Sequence, residues 1–312
     1  MRYFSLINNS GETLDITSKT IFFTEVSGLG FEEETSFRHV GEVWWLNTAS
    51  YRQTPITGRL IFTDYNKTDP YIEFRKFFQF VSKAPLDLVY YPNGLTGKQY
   101  RKRVRVTKLE KSELNEYGVF DEAIEFTPYT PWYELVVYEN SGGESDYKGR
   151  WIWGDGSEHP PVIFAPTPAG STPPRFGTEE RRWVALDVNA SSDSPARFIM
   201  FGPIENPIWT HYVDGDVVST GGFSSSISIG ENEALVVDNV DEICQIKVYS
   251  CYTDGSGKRV IGEQLRDLYQ KRNFNVPCFI TLRAGQNRVA VATSTDTPIV
   301  LRLEGYLYNA VV

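Results

Sequence analysis

Apolar positions along most of this chain recur every second residue in short bursts, and only one stretch switches clearly to a helical period. Residues 3–7 and 12–23 read as strands separated by an Asn8-Asn9-Ser10-Gly11 turn. Ser27-Gly28-Leu29-Gly30 is a break, followed by an acidic turn at Glu32-Glu33-Glu34. Val43 to Leu46, Gly58 to Phe62, Leu86 to Tyr91 and Glu122 to Thr127 are further strands. In residues 98–108, Val104 and Val106 alternate with Arg103, Arg105 and Thr107, which predicts a strand with one charged face carrying Arg101 as well. The exception to this texture is residues 68–85. Asp69 suits an N-cap, Pro70 a first helical turn, and Tyr71, Phe74, Phe77, Phe78 and Val81 follow the spacing of a buried stripe. Phe77 and Phe78 are both expected in the core, and Ala84-Pro85 stops the helix.

Beyond Tyr138 the rhythm is interrupted. Asn140-Ser141-Gly142-Gly143 reads as a turn joining 134–138 to 147–153 in a hairpin, and Pro160, Pro161, Pro166, Pro168, Pro173 and Pro174 make residues 139–180 an extended arm or linker. From Arg182 onward short strands return: Trp183–Val188, Ala196–Phe201, Thr210–Val213, Ser225–Ile229, Ala234–Asp238, Gln245–Tyr252, Cys278–Leu282, Arg288–Ala292 and Ile299–Tyr308. Asp214-Gly215 and Asp254-Gly255 are hairpin turns, and Gly262 to Arg272 reads as a short helix. The expected organisation is mainly β (a β-rich α+β chain): a first domain at 1–138, the arm at 139–180, and a jelly-roll β-sandwich at 181–312.

Charge narrows the partners. Residues 1–138 carry 16 basic and 18 acidic side chains, a net of -2; the remainder carries 15 and 22, a net of -7. The second part repels anionic polymers, so neither sequence-specific nucleic-acid binding nor an anionic membrane partner is expected. The first residues lack a signal-peptide core and no apolar run approaches a membrane span, so the chain is expected to fold in a cytoplasm without membrane insertion. Cys244, Cys251 and Cys278 fit no zinc spacing and are read as small buried residues of a reduced protein. His39, His159 and His211 have no ligand spacing and are read as structural. Gly255-Ser256-Gly257-Lys258-Arg259 resembles a phosphate loop, but Tyr252 stands where the first glycine is needed and Arg259 where Ser or Thr is, so a hairpin tip explains it better. Acidic residues are plentiful, yet nothing selects a glycosidase pair. No catalytic residue, cofactor or metal site is expected. The densest aromatic group is Trp132, Tyr133, Tyr138, Tyr147, Trp151 and Trp153, which suits packing, subunit contact or a glycan platform. Between Trp183 and Val312 only Trp183 and Trp209 are tryptophans, with no polar set clustered around either in sequence, so free-sugar binding is not expected there.

The order of features resembles the distal tail proteins of long non-contractile-tailed (siphophage-type) bacteriophages. The likeness is carried by Gly28-Leu29-Gly30, the helix from Asp69 to Lys83, and the run Ala123-Ile124-Glu125-Phe126-Thr127-Pro128-Tyr129-Thr130-Pro131-Trp132. Further on it is carried by Phe201-Gly202-Pro203-Ile204-Glu205-Asn206-Pro207-Ile208, Ser228-Ile229-Gly230-Glu231, Leu235-Val236-Val237-Asp238, Phe279 to Asn287, and the strand Leu301 to Tyr308. The resemblance implies a tail-tube-like β-barrel or sandwich with one helix that forms a homo-hexameric ring, and a galectin-like second domain. It implies a baseplate hub component of the virion tail, assembled in the bacterial host cytoplasm. The implied role is to join the major tail tube protein to the tail-associated hub protein and the receptor-binding proteins, without enzymatic activity. Residues 139–180 depart from the shortest members. Segregated charge at Arg101, Arg103 and Arg105 and at Glu32, Glu33 and Glu34 suits a head-to-tail contact, and Trp151 and Trp153 are candidate contacts in the arm. The alternatives are a carbohydrate-binding module or host-adhesion protein of a phage tail, and a cell-wall hydrolase.

Overall fold

The computed structural model describes residues 2–30, 32–40, 42–63, 69–140, 183–240, 244–255, 257–294 and 299–309. The protein is mainly β, with one α-helix among the described residues. The chain divides into two compact units, Met1–Leu135 with Tyr308–Val312, and Val136–Leu307.

The first unit contains β1 (Tyr3–Ile7), β2 (Thr13–Asp15), β3 (Ile21–Ser27), β4 (Glu32–Val40), β5 (Val43–Arg52), β6 (Ile56–Phe62), α1 (Pro70–Val81), β7 (Leu86–Tyr91), β8 (Tyr100–Leu109), β9 (Phe120–Pro128) and the start of β10 (Trp132–Asn140). β8 is shared between two strand groups. Its first half pairs with β7 from Tyr90↔Tyr100 to Leu86↔Val104, and β7 leads on to β1 and β2. Its second half pairs with β9 from Val104↔Pro128 to Leu109↔Ile124, and β9 leads on to β6 and β3. The groups enclose one core containing Phe4, Leu6, Phe23, Leu60, Phe62, Leu88, Val104, Phe126 and Trp132.

Helix α1 caps this core. Asp69 accepts the amide of Tyr71 at 2.9 Å, and Pro70 occupies the first turn. The buried stripe is Pro70, Phe77 and Val81, with Phe74 and Phe80 packed beside it. Phe77 meets Phe62 edge to face at 5.7 Å between ring centres. The expectation for Phe78 is corrected: it is 58% exposed. At 100° per residue, Pro70, Phe74, Phe77 and Val81 cluster on one side, while Phe78 lies a quarter turn beyond Phe77. Two other readings are corrected nearby. Residues 12–23 are not one strand, because Thr17 and Ser18 turn the chain between β2 and β3: the Thr17 amide bonds Asp15 Oδ1 at 2.7 Å, and Ser18 Oγ accepts the Ile21 amide at 3.1 Å. Glu32-Glu33-Glu34 is not a turn; it opens β4 and pairs with Arg52, Tyr51 and Ser50 of β5.

The second unit is a sandwich. One face is the four-stranded sheet β11 (Trp183–Val188), β21 (Gly285–Ala292), β14 (Ile208–Val213) and β15 (Asp216–Gly221). Opposite lie β19 (Arg259–Asp267), β18 (Gln245–Thr253), β17 (Glu233–Asp238), β12 (Ser194–Phe201) and β22 (Val300–Asn309), with β20 (Thr281–Leu282) against β12. The short pair β13 (Ile204–Glu205) and β16 (Ser228–Ile229) stands apart. Alternate residues of both faces fill the core, among them Val184, Phe198, Met200, Trp209, Leu235, Val248, Val289 and Leu301. The helix expected over Gly262 to Arg272 is corrected to β19 and a 3-10 turn at Tyr269–Lys271, because pairing with β18 overrides the helix preference of Glu263, Gln264, Leu265 and Arg266. The Asp254-Gly255 turn does join β18 to β19, with Asp254 Oδ1 accepting the Lys258 amide at 2.9 Å.

Candidate interaction surfaces

Among the described residues the hairpin β4–β5 pairs with no other strand. Its register runs from Glu32↔Arg52 to Val40↔Val43, with a bulge after Ser36. Residues opposite one another share a face, so Phe37, Leu46, His39 and Trp44 lie on one side, and Arg38, Trp45 and Val43 on the other. Both faces are therefore apolar, and both are open: Trp44 is 66% exposed, Trp45 63% and Phe37 55%. A two-stranded ribbon with no apolar face covered is marginal in water, and an exposed apolar patch of this kind marks a contact site. Gly28 sets where the ribbon departs. Its φ of +82° is in the left-handed region, and a Cβ there would run into the Pro55 carbonyl.

The sequence-expected residues fall on two different elements of the first unit. Glu32, Glu33 and Glu34 are exposed at the base of the hairpin. Arg101, Arg103 and Arg105 share one face of β8: Arg105 is exposed, Arg103 Nε lies 3.6 Å from Asp87 on β7, and Arg101 Nε is buried without an acceptor. The opposite face of β8 holds a residue that sequence reading missed. Lys102 is buried, with its ammonium 5.3 Å from the centre of the Trp132 ring, and burial pulls that ammonium down to about 8. The signal was the alternation itself, since Lys102 shares parity with Val104 and Val106.

The aromatic group separates as well. Trp132 and Tyr133 are buried, Trp132 Nε1 donates to Leu29 O at 3.0 Å, and burial beside Asp87 drives the Tyr133 hydroxyl well above the usual phenol range. Tyr138 is partly exposed. The first arm of the hairpin expected at 134–153 falls within β10, while its second arm at 147–153 with Tyr147, Trp151 and Trp153, and the Pro-rich stretch, lie outside the described residues. In the second unit Trp209 is core and donates to Cys278 O at 2.7 Å. His211 is buried, with Nε2 3.0 Å from Asn287 Oδ1, and burial lowers its basicity. Cys251 and Cys278 are buried free thiols, but Cys244 is exposed, against expectation, at the entry to β18, where it is not on a core-facing position. Among the described residues no group of three or more His, Cys, Asp or Glu could hold a metal, and no helix is long and apolar enough to cross a membrane.

Residues 3–129 match the family model of the distal tail protein N-terminal domain. No curated protein sequence matches the chain. Among solved structures, chains of the phage P2 baseplate in its activated conformation, with calcium and with strontium, each align over 100% of both chains at 14% identity and a TM-score of 0.62. The SPP1 Dit protein, described as a paradigm of the hub adsorption apparatus in Gram-positive-infecting phages, aligns over 97% of this chain and 99% of its own at 10% identity and a TM-score of 0.56. The resemblance to distal tail proteins thus extends over residues 3–129 by sequence and over nearly the whole chain by fold.

Proposed function

We propose that this chain, whose residues 3–129 match a distal tail protein N-terminal domain, is a structural component of a phage baseplate hub rather than an enzyme. Six copies of its first domain close into a ring around an open channel. The ring connects the tail tube to the tail-associated and receptor-binding proteins of the virion, with the galectin-like second domain outside it. The observation that supports the ring is the β4–β5 hairpin, which offers Trp44, Trp45, Phe37 and Leu46 to a surface the chain's own first unit does not supply. A ribbon that leaves one copy and covers itself on the next is a heterologous contact, the kind that closes into rings. Glu32–Glu34 at its base and Arg105 on β8 carry opposite charge on one nearly neutral domain, which suits registering neighbours more than stabilising them.

Native mass spectrometry of the purified chain, alone and with its tube partner, tests this reading. A six-fold mass supports it; a strict monomer or a closed dimer under both conditions contradicts it. The domain boundary belongs to the same proposal and lies within residues 139–180. Exposed linkers are cut before packed domains. Limited proteolysis is expected to leave a stable C-terminal fragment beginning near Arg181, and early cuts confined to residues 1–130 would rule the boundary out.

A further inference from the structure

The outward side of α1 is apolar where a surface helix is ordinarily polar. At 100° per residue, Tyr71, Ile72 and Phe78 fall within one arc of about 120° with Arg75 at its middle, turned away from the buried Pro70, Phe77 and Val81. All three apolar side chains of the arc are exposed, Phe78 most of all. Outside the β4–β5 hairpin, the other exposed large apolar side chains described in the first unit are Leu95, Leu114, Tyr117 and Tyr129, all on turns or loops. Lys111, from the loop after β8, lies over the Tyr71 ring at 5.3 Å, and Phe120 meets that ring edge on at 4.7 Å. Tyr71 is therefore the fixed end of the arc. Phe78 makes no ring or cation contact among the described residues and is the open end. Arg75 and Lys111 make no ion pair among the described residues, whereas Lys76 is paired with Glu73 at 2.8 Å.

The hairpin carries the complement. Its bulge lies on β5 at Asn47, so β4 alternates without interruption and Glu33 shares a face with Phe37, His39, Leu46 and Trp44. That face is apolar near the tip and acidic near the base, and Glu33 is exposed with no ion pair among the described residues. The other face sets Arg38 beside Trp45, a cation that Arg75 and Lys111 would repel. At about 3.3 Å per residue the nine residues of β4 extend roughly 30 Å, enough to lay the tip well across a neighbouring domain. Within one copy neither surface covers the other, since both stay exposed. Two uncovered apolar surfaces of opposite charge on one chain suit a contact between copies.

We propose that the Trp44 face of one copy's hairpin packs on the α1 arc of the next, Trp44 against Phe78, Phe37 and Leu46 toward Tyr71, and Glu33 toward Lys111. Unlike ends set that direction, because the acid lies at the base of the hairpin face and the Lys111 ammonium at the Tyr71 end of the arc. The contact rests on the ring proposed above and identifies the surface that receives the ribbon. A patch meeting a different patch on the next copy is heterologous, so around a closed ring every hairpin and every α1 is used once. The contact also gives Phe78 a role that its own core does not.

Mass photometry of the full chain, alone and with the tail tube protein, tests it through the concentration at which half the copies are in rings. Phe78→Ala is expected to raise that concentration about tenfold or more while the melting temperature of the chain stays unchanged. Glu33→Lys and Lys111→Glu are each expected to raise it about threefold or more, and the two together to return it to within about twofold of wild type, because exchanging both charges restores the pairing. Wild-type rings that tolerate Phe78→Ala overturn the contact and leave the ring. So does a Glu33→Lys defect that Arg105→Glu repairs and Lys111→Glu does not, since the ribbon would then be seated on β8. A wild type without rings in either condition removes the ring, and this contact with it.

Discussion

Helix α1 and the β4–β5 hairpin of the first unit carry comparable apolar content and reach opposite ends. On the helix, Phe77 is fully buried against Phe62 by residues of its own chain. On the hairpin, Trp44 and Trp45 stay about two-thirds exposed although they sit in a wholly apolar run, Val43-Trp44-Trp45-Leu46. Hydrophobic pattern reports that a side chain should leave water; it does not report which molecule covers it. The stripe of Pro70, Phe77 and Val81 faces one way, so its own sheet suffices. The ribbon is apolar on both sides, and no single sheet could cover both.

Substitutions can break this contrast. The largest expected loss is at Phe77→Ala, about 3–5 kcal/mol for truncating a buried aromatic, read by urea unfolding. If instead Trp44→Ala cost the isolated chain as much, the hairpin would be packed internally and the contrast would fail. Gly28→Ala comes next. With φ at +82° and the Pro55 carbonyl in the way, it is expected to cost more than about 1 kcal/mol and to disturb the ribbon's departure angle.

Lys102→Met is expected to be a gain. The folded ammonium is pulled down to about 8 from an ordinary 10.5, so below pH 8 both states are protonated and the folded one bears the whole desolvation cost. Between about 8 and 10.5 the unfolded chain binds more protons, and wild-type stability rises relative to the variant. The advantage of Lys102→Met is therefore largest at neutral pH and fades across that window; a pH-independent difference would show that Lys102 does not titrate there. The smallest effect is Phe78→Ala, within about 0.5 kcal/mol of wild type as for an ordinary surface site. A loss comparable to Phe77→Ala would place Phe78 back in the core.

Much of the fold was legible because local pattern and tertiary outcome agree: Asp69 and Pro70 do start α1, Leu86–Tyr91 is β7, and Trp183–Val188 is β11. The misreadings share a physical cause. Spacing alone puts Phe78 on the stripe, whereas a quarter turn of helix separates core from solvent. The β19 residues favour helix locally, and the strand partner that overrides this preference lies across a turn. The site residues were hardest. Arg101 and Arg103 could be placed on one face of β8, but the buried Lys102 between them went unremarked, and the hairpin's apolar run gave no sign in sequence of being uncovered.

Trp44 and Trp45 are expected to be covered by a neighbouring copy of the chain. Negative-stain microscopy with mass photometry, on the wild type and on a Trp44→Ser/Trp45→Ser variant, each alone and with the tail tube protein, tests it most directly. Six-membered rings are expected for the wild type in at least one condition, and particles of single-chain mass for a variant whose melting temperature is unchanged. Rings that persist in the variant, or a wild type that stays a monomer or stops at a dimer in both conditions, would contradict it.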